Sequence, residues 1–338
     1  MNYLSDLKIL VVGKYLNKLD SYDYINIVET LIDLGHLVKI FDTNLSREEN
    51  TSNILKLCKE YEPDLLFIIP VEEEIDLNKL TTINNKIKKL VYFFDDTWRI
   101  NYSLKWLDVV DYAVTSDINW LLNFNKFKHK IIYSPFTVNI DRYLNYNNKE
   151  KNIDISFVGQ YHPYREWIIK KLKSKNFNVK VYGEGWKNSK VLSHHEMVEL
   201  FNNTKINLNL SNCVNYDLRF LFDLYNNTFL SILKSIKLIL KSLYKKDMKI
   251  YEMVKGRFFE INACGGFQLA FYAQGLEQQY NIGTDIVIFS DFNELIKKVE
   301  YFLNANEERN YIASNGYNKT LKMHNSRSRL NHILTNIF

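Results

Sequence analysis

The segment Glu252–Gly266 (EMVKGRFFEINACGG) combines cationic and acidic side chains at a spacing suited to an anionic ligand. Lys255 and Arg257 stand just before an apolar, helix-like run. Because cations at a helix start oppose the helix dipole, they indicate an anion there, where free N–H groups also bind phosphate. Glu260 lies one turn further on, where a carboxylate can accept hydrogen bonds from the two hydroxyls of a ribose. The alternative is a surface helix with Glu260 on its solvated face.

The composition is that of a globular protein. The 338 residues are 46% hydrophobic and 25% charged, with a net charge of +5, which excludes a disordered chain and is too weakly basic to imply nucleic-acid binding. The three cysteines have no CxxC spacing, which favours a reducing cytoplasm. No signal peptide is visible, and no apolar run reaches the ~18 residues of a membrane span. We therefore expect a cytoplasmic protein, with association at the cytoplasmic face of a membrane left open.

Alternating strands and helices must position the charged segment. Apolar runs typical of strands buried on both faces recur through the first half, which predicts a parallel sheet with helices on both faces. The six predicted strands are Lys8–Val12, Leu37–Phe41, Leu65–Ile69, Leu90–Phe94, Asp111–Val114 and Lys130–Tyr133. Helical spacing of apolar residues predicts helices at Tyr24–Leu34, Ile54–Tyr61 and Leu77–Ile87.

The second half repeats this pattern after a polar stretch, Pro135–Asn152, that is the best candidate for a linker. Five further strands are predicted at Ile153–Gly159, Val179–Gly183, Ile206–Leu210, Phe267–Phe271 and Ile286–Phe289. We therefore expect two α/β domains facing a central cleft. Ligands of open parallel sheets bind beyond the carboxyl ends of the strands, which places four groups at that cleft: Gly13, Asp95–Asp96, Gly159 and Gly183.

The predicted domain boundaries follow from this pattern. The first domain is 1–137, the linker 138–152, and the second domain 153–318, with a helical insertion at 213–250. A C-terminal helix in 319–338 is expected to pack back toward the first domain. Within the insertion, 229–245 has apolar residues on one helical face and lysines on the other. It is either a helix packed on the second domain or a basic amphipathic helix resting on anionic lipid or a protein partner.

Residues 255–271 (KGRFFEINACGGFQLAF) resemble the signature of the CgeB-like (spore maturation protein) glycosyltransferases of the GT-B superfamily, close to the glycosyltransferase group 1 domain. In that family a glutamate precedes an A-C-G triplet, as Glu260 precedes Ala263–Gly265. Group 1 enzymes carry two glutamates with the spacing of Glu252 and Glu260. Weaker matches to the family are YFFDDTW from Tyr92, SFVGQYHPYR from Ser156, YGEGW from Tyr182 and IASNG from Ile312.

The resemblance implies a GT-B fold of two facing Rossmann-like domains and transfer of a sugar from a nucleotide-diphosphate donor to a hydroxyl acceptor. Lys255 and Arg257 would neutralise the departing diphosphate, and Glu260 would hold the ribose. Glycines would let backbone N–H groups approach phosphate or base, with simple turn geometry as the alternative. The full predicted nucleotide-binding set is Gly13, Gly159, Arg165, Gly183, Lys255, Arg257, Glu260, Gly265 and Gly266.

The predicted catalytic residues are Asp95, Asp96 and Arg257. A carboxylate at the end of a buried strand is a candidate general base for the acceptor hydroxyl, and binding of acceptor hydroxyls or helix capping are the alternatives. Because Asp95 and Asp96 are adjacent and form no D-x-D spacing, we expect no metal, and no other cofactor. UDP, dTDP and GDP donors remain open, as do glycan, protein and lipid-linked acceptors; no nucleic-acid partner is expected.

Two other functions fit the same residues. A nucleotide-sugar epimerase of this architecture would consume donor with no acceptor present. A non-catalytic relative would serve as a membrane-surface or assembly partner through 229–245. A dehydrogenase is disfavoured, since neither Gly13 nor Gly159 opens a G-x-G-x-x-G loop.

Overall fold

The computed structural model describes residues 6–94, 99–118, 125–148, 150–211 and 252–338, together with residues 229, 230, 232, 233, 236, 237 and 240. It divides into two compact units. The first unit combines Met1–Arg142 with His324–Phe338, and the second is Tyr143–Met323.

The first unit is built on a six-stranded sheet in which every neighbouring pair is parallel, in the order β2-β1-β3-β4-β5-β6. The strands are β1 (Lys8–Gly13), β2 (Leu37–Asp42), β3 (Leu65–Ile69), β4 (Lys88–Phe93), β5 (Tyr112–Thr115) and β6 (Ile131–Tyr133). Side chains alternate between the two faces of a strand, so Ile9 and Val11 enter one core while Leu10 and Val12 enter the other. This is why the strands are continuous apolar runs.

Helices cover both faces of this sheet. They are a π-helical turn (Tyr24–Val28) running into α1 (Glu29–Asp33), then α2 (Arg47–Tyr61), α3 (Leu77–Leu80), α4 (Ile100–Leu107) and a 3₁₀ segment (Asn125–Lys130). The last helix of the chain, α10 (Ser326–Thr335), also belongs here, since Leu330, Ile333 and Leu334 pack against the α1 side of the sheet.

The helix predicted at Leu77–Ile87 is much shorter than its apolar spacing indicates. Asp76 caps it, and it ends at Leu80. Beyond Leu80 the backbone tightens to bonds between residues three apart, because the amides of Thr82 and Ile83 donate to the carbonyls of Lys79 and Leu80, and the hydroxyls of Thr81 and Thr82 donate to the carbonyls of Asn78 and Lys79.

The second unit has a five-stranded sheet, again parallel throughout, in the order β11-β10-β9-β7-β8. The strands are β7 (Ile153–Val158), β8 (Val179–Tyr182), β9 (Thr204–Asn209), β10 (Gln268–Phe271) and β11 (Val287–Phe289). Its helices are α5 (Pro163–Ser174), α6 (His194–Asn203), α7 (Arg257–Ala263), α8 (Phe292–Asn304) and α9 (Asn306–Met323), with a 3₁₀ turn at Leu276–Gln278. The predicted architecture of two parallel-sheet α/β domains is confirmed.

The two faces of this second sheet differ in chemistry. Apolar side chains on one face, such as Phe157 and Leu208, join a core with α5 and α8. The opposite face contacts α6 and α7, and there the strands present buried polar side chains. These are Ser156, Asn207, Asn209 and Gln268. The charged segment that the sequence singles out therefore lies on a polar, buried sheet face.

Most of the insertion predicted at 213–250 lies outside the described residues. Its described members, among them Phe229, Leu233 and Leu240, are helical. Within the part of the chain that the structure describes, no helix combines the length and hydropathy that crossing a bilayer requires.

Candidate functional site

Helix α7 carries Arg257 and Glu260 of the predicted nucleotide site and is buried almost all round. Every residue from Phe258 to Ala263 is buried, because the helix packs on β9, β10 and α9. A helix in such surroundings has no solvated face for a carboxylate. Glu260 is 5% exposed, so the structure excludes the alternative of a surface helix with Glu260 in water. A carboxylate taken out of water needs partners for its charge and its lone pairs.

Two side chains supply those partners. The Tyr143 hydroxyl donates to Glu260 Oε1 at 2.8 Å, and the Arg257 guanidinium lies with Nη1 2.7 Å from Glu260 Oε2. The ion pair joins residues three apart on one helix, a spacing that places side chains side by side. Each carboxylate oxygen thus has a fixed partner and a defined orientation.

Arg257 is fixed on its other side by helix α6. Its guanidinium lies 5.3 Å from the centroid of the Phe201 ring, and Nη1 donates to Met197 Sδ at 2.7 Å. The side chain keeps 26% of its surface exposed, in contrast to its ion-pair partner Glu260. A guanidinium has five N–H donors, so these contacts leave donors for an anion.

A chain of amide side chains holds α7 against the sheet. Gln268 Nε2 donates to the Phe258 carbonyl and to Asn262 Oδ1, both at 2.7 Å, and Asn209 Nδ2 donates to Gln268 Oε1 at 3.2 Å. On the next strand, Ser156 donates to Asn207 at 3.1 Å. These bonds fix the helix over β9 and β10, and with it the position of the Glu260 carboxylate.

Gly265 ends helix α7 in the left-handed region, with φ +65°. A Cβ there would stand 2.4 Å from Asn145 Nδ2, so the position requires glycine both for its backbone and for the close approach of Asn145. At Gly266 a Cβ would meet Asn207 Nδ2 at 2.9 Å. The amides of the two glycines donate to the carbonyls of Asn262 and Ile261.

Gly159 and Gly183, predicted from separate strands, are in direct contact. A Cβ on Gly183, at φ +137°, would lie 2.2 Å from the Gly159 carbonyl oxygen. That oxygen accepts the Trp186 indole N–H at 2.8 Å. The Gly159 amide donates to Tyr182 and the Gly183 amide to Lys190. In this structure the two glycines join the ends of β7 and β8, and their amide hydrogens are used inside the protein; their role toward phosphate stays a prediction.

The remaining predicted residues lie in separate parts of the chain. Arg165 lies in α5, where Nη1 donates to the Gln160 carbonyl at 2.9 Å and the guanidinium lies 5.7 Å from the Phe157 ring centroid. Lys255 is half-buried just before α7. Gly13 ends β1 in the first unit, between Asp42 and Ile69 of the neighbouring strands. Asp95 and Asp96 lie outside the described residues.

Tyr143 is the residue of this site that the sequence does not single out, because it stands in the stretch predicted as a linker. Asn202 fixes the backbone around it, since its side chain accepts the Tyr146 amide at 2.7 Å and donates to the Leu144 carbonyl at 2.9 Å. The Tyr143 ring packs edge-on against His194, with 4.6 Å between centroids. The available signal is a pair of tyrosines, Tyr143 and Tyr146, three positions apart in a segment that is mostly polar.

Cys264 packs directly after α7 and is fully buried. Burial raises the pKa of its thiol well above the usual range, and the nearby Glu260 charge raises it further. A thiol kept protonated is a poor nucleophile, which agrees with a packing role. Among the described residues, no cluster of three or more histidine, cysteine or acidic side chains is placed to hold a metal ion.

Comparison with known proteins assigns the family. Residues 165–335, just over half of the chain, match the family described as glycosyl transferase-like. The match contains α7 with Arg257 and Glu260. The protein therefore belongs to this family, whose group 1-like character the sequence predicts; the narrower CgeB-like assignment stays an expectation. No curated protein sequence matches the chain.

Solved glycosyltransferases share the fold over the whole chain. Anabaena HepE, in complex with UDP and glucose, is 11% identical, with a TM-score of 0.65 over 98% of this chain and 99% of that one. A glycosyltransferase from Rickettsia africae is 12% identical, with a TM-score of 0.63 over 99% and 98%. Sucrose-phosphate synthase from Thermosynechococcus elongatus is 10% identical, with a TM-score of 0.62 over 98% of both chains. These likenesses show the GT-B fold, as predicted.

The contact between Gly159 and Gly183 predicts a large difference between two glycine substitutions. Gly283→Ala imposes only backbone strain, since φ is +89° and nothing lies within 4 Å of the new Cβ; we expect a loss of about 1 kcal/mol in the free energy of unfolding. Gly183→Ala adds the 2.2 Å clash and should cost about 3 kcal/mol or more. Urea denaturation measures both, and equal losses would contradict the described contact.

The bond from Tyr143 to Glu260 predicts energetic coupling between the two side chains. Tyr143→Phe leaves a buried carboxylate oxygen without a donor and should cost about 1.5–3 kcal/mol. A double-mutant cycle with Glu260→Ala, which removes the acceptor, should return a coupling of about 0.5–3 kcal/mol. Tyr146→Phe is the matched control, because Tyr146 is 39% exposed, and should change stability by less than about 0.5 kcal/mol. Additive losses in the cycle would show that the bond does not form.

Proposed function

We propose that this protein is an active glycosyltransferase that moves a sugar from a nucleoside-diphosphate donor to a hydroxyl group of a glycan, a protein or a lipid-linked acceptor. The observation that carries the proposal is the Glu260 carboxylate, buried and held between Tyr143 and Arg257 on a family-matched helix. The donor nucleotide binds at this carboxylate.

Glu260 is suited to bind a ribose because each of its two oxygens has one hydrogen-bond partner in the protein and can accept a further hydrogen bond. A carboxylate has about four acceptor positions, and Tyr143 and Arg257 take one each. The 2′ and 3′ hydroxyls of a ribose donate to the remaining positions. Because the carboxylate is oriented in advance, binding does not have to order it, and this favours affinity.

Arg257 and Lys255 act on the diphosphate. As the bond between the sugar and the diphosphate breaks, negative charge grows on the leaving group, and a cation already in place stabilises that charge. Arg257 is anchored on Phe201 and Met197 and is partly exposed, which suits it to that role. Fixed cations of this kind make a metal unnecessary, so the proposed reaction is metal-independent. Asp95 or Asp96 is the proposed general base for the acceptor hydroxyl.

A uridine diphosphate sugar is the first donor to test. The solved structures of HepE hold UDP and UDP-glucose. They share this fold, and about a tenth of their residues are identical to those of this chain. dTDP and GDP sugars are the two alternatives.

The proposal predicts that two substitutions in α7 weaken donor use. Release of nucleoside diphosphate is measured from UDP, dTDP and GDP sugars with a panel of glycan acceptors. Glu260→Gln keeps the shape but loses the charge that holds the ribose, and should lower kcat/KM about tenfold to a hundredfold. Arg257→Ala should lower kcat about a hundredfold or more. EDTA should leave the rate unchanged.

Glu199→Gln is the matched control, because Glu199 is an exposed carboxylate on α6 whose Oε2 lies 3.8 Å from His195 Nδ1. It should keep the wild-type rate and the wild-type melting temperature. Full activity in both α7 variants would place the donor elsewhere. Donor consumption that is independent of acceptor would favour the epimerase, and no binding of any of the three nucleotides by calorimetry would favour a non-catalytic protein.

A further inference from the structure

A broad depression lies at the outer edge of the sheet in the second unit. Its volume is about 900 Å³, which is large for a ligand pocket. Its walls are the edge strand β8, helix α5 and the segment 186–190 that follows β8. Glu166 is the one acidic side chain among the described residues that line it. Five lysines line it as well: Lys170, Lys173, Lys180, Lys187 and Lys190.

The positive charge in this depression is only partly neutralised. Two of the five lysines pair with the carboxylates of Glu166 and Glu196. The other three are exposed and have no ion-pair partner among the described residues; they are Lys173, Lys180 and Lys187. Like charges gathered in one place repel one another, and a bound anion removes that repulsion. The depression is therefore suited to an anionic ligand.

Protection of the sheet edge does not account for these lysines. A lysine on an edge strand deters other strands from pairing with it. Lys180 is the one lining lysine that lies in β8, and the segment after β8 already bonds to that strand, because the Ser189 hydroxyl donates to the Val181 carbonyl at 2.7 Å. The other four lysines lie on α5 and on the segment 186–190, away from the strand.

A fixed aromatic ring stands among the lysines. Trp186 lines the depression and is partly exposed. Its indole N–H donates to the Gly159 carbonyl at 2.8 Å, and its ring packs edge-on against Tyr161 and Phe157, with 5.4 Å and 5.9 Å between centroids. An indole offers a flat apolar surface on which the C–H face of a sugar ring packs. Asn188, exposed in the same lining, can donate to and accept from sugar hydroxyls.

We propose that this depression binds an acidic oligosaccharide, with a sugar ring on Trp186 and its carboxylate or phosphate groups among the lysines. Lysines are point charges on flexible stems, so they suit anionic groups that are spaced along a chain. The site is separate from Glu260, because α5 packs on the apolar face of the sheet and α7 on the polar face. The proposal goes beyond sugar transfer at Glu260 and does not depend on it.

The test is calorimetry of the full-length protein with two acidic oligosaccharides, tetragalacturonate and maltotetraose phosphorylated on its primary hydroxyls. We expect binding that weakens as salt is added and that saturating UDP does not change. The oligosaccharide that binds more tightly identifies the anionic group. The triple substitution Lys173→Gln/Lys180→Gln/Lys187→Gln should weaken binding about eightfold, from about twofold for each lysine.

Matched controls separate a defined site from general attraction. Lys59→Gln/Lys297→Gln/Lys322→Gln removes the same charge from exposed positions outside the depression and should bind like the wild type. N-acetyl tetraglutamate amide has the four carboxylates of tetragalacturonate without sugar rings, and maltotetraose has the rings without charge. Both should bind about fivefold or more weakly than the acidic oligosaccharides. Thermal melting should be unchanged in both triple variants, because all six lysines are exposed.

Four results would overturn the proposal. The first is no binding of either acidic oligosaccharide. The second is equal affinity for the tetraglutamate peptide, which would make the depression a site for acidic protein segments. The third is displacement by UDP, which would place the oligosaccharide in the donor site. The fourth is an equal loss in the control triple substitution, which would mean that net charge acts without a defined site.

Discussion

The burial of one carboxylate, that of Glu260, constrains the packing of several segments in the second unit. Removing Glu260 from water is costly, and the cost is offset only because the Tyr143 hydroxyl and the Arg257 guanidinium meet its two oxygens. Each partner in turn needs its own support. Tyr143 is held through the bonds of Asn202 to the neighbouring backbone, and Arg257 rests on Phe201 and Met197. The carboxylate thus ties together three segments that are distant in sequence.

The polar face of the second sheet serves the same need to keep the Glu260 carboxylate in contact with its partners. The Glu260 carboxylate meets its partners only if helix α7 keeps one rotation about its own axis over the sheet. Directional hydrogen bonds specify that rotation more narrowly than apolar contacts do. The bonds of Gln268 to the Phe258 carbonyl and to Asn262 supply directional contacts instead. Gly265 and Gly266 then let Asn145 and Asn207 approach closely where the helix ends. The site is built on regular elements of the sheet and its helices, which favours a fixed geometry.

The fold was predictable from the sequence because strands buried on both faces leave a direct signal. The runs at Leu65–Ile69 and Leu90–Phe94 are apolar without interruption, and each strand lies within a residue or two of its predicted place. Strand β9 shows the limit of that signal. Its alternation of Ile206, Asn207, Leu208 and Asn209 is typical of a strand with one solvated face, whereas α6 and α7 cover that face.

The site was predictable in part. The sequence singles out Lys255, Arg257 and Glu260 because charges stand at and within an apolar run, and the family match spans all three. The burial of the Glu260 carboxylate and its bond from Tyr143 depend on packing from α6 and from the segment at Tyr143, which no local pattern contains. The sequence marks Gly159 and Gly183 as strand-ending glycines, but their contact with each other depends on the pairing and register of β7 with β8, which no local pattern contains.

The claim at the centre of this account is that Glu260 recognises the ribose hydroxyls. Calorimetry with UDP and with 2′,3′-dideoxy-UDP tests it directly, repeated with the other bases if uridine does not bind. The account predicts that loss of both hydroxyls weakens binding about tenfold to a hundredfold in the wild type, and that Glu260→Gln largely removes the difference. Equal affinity of the wild type for the two nucleotides would contradict it.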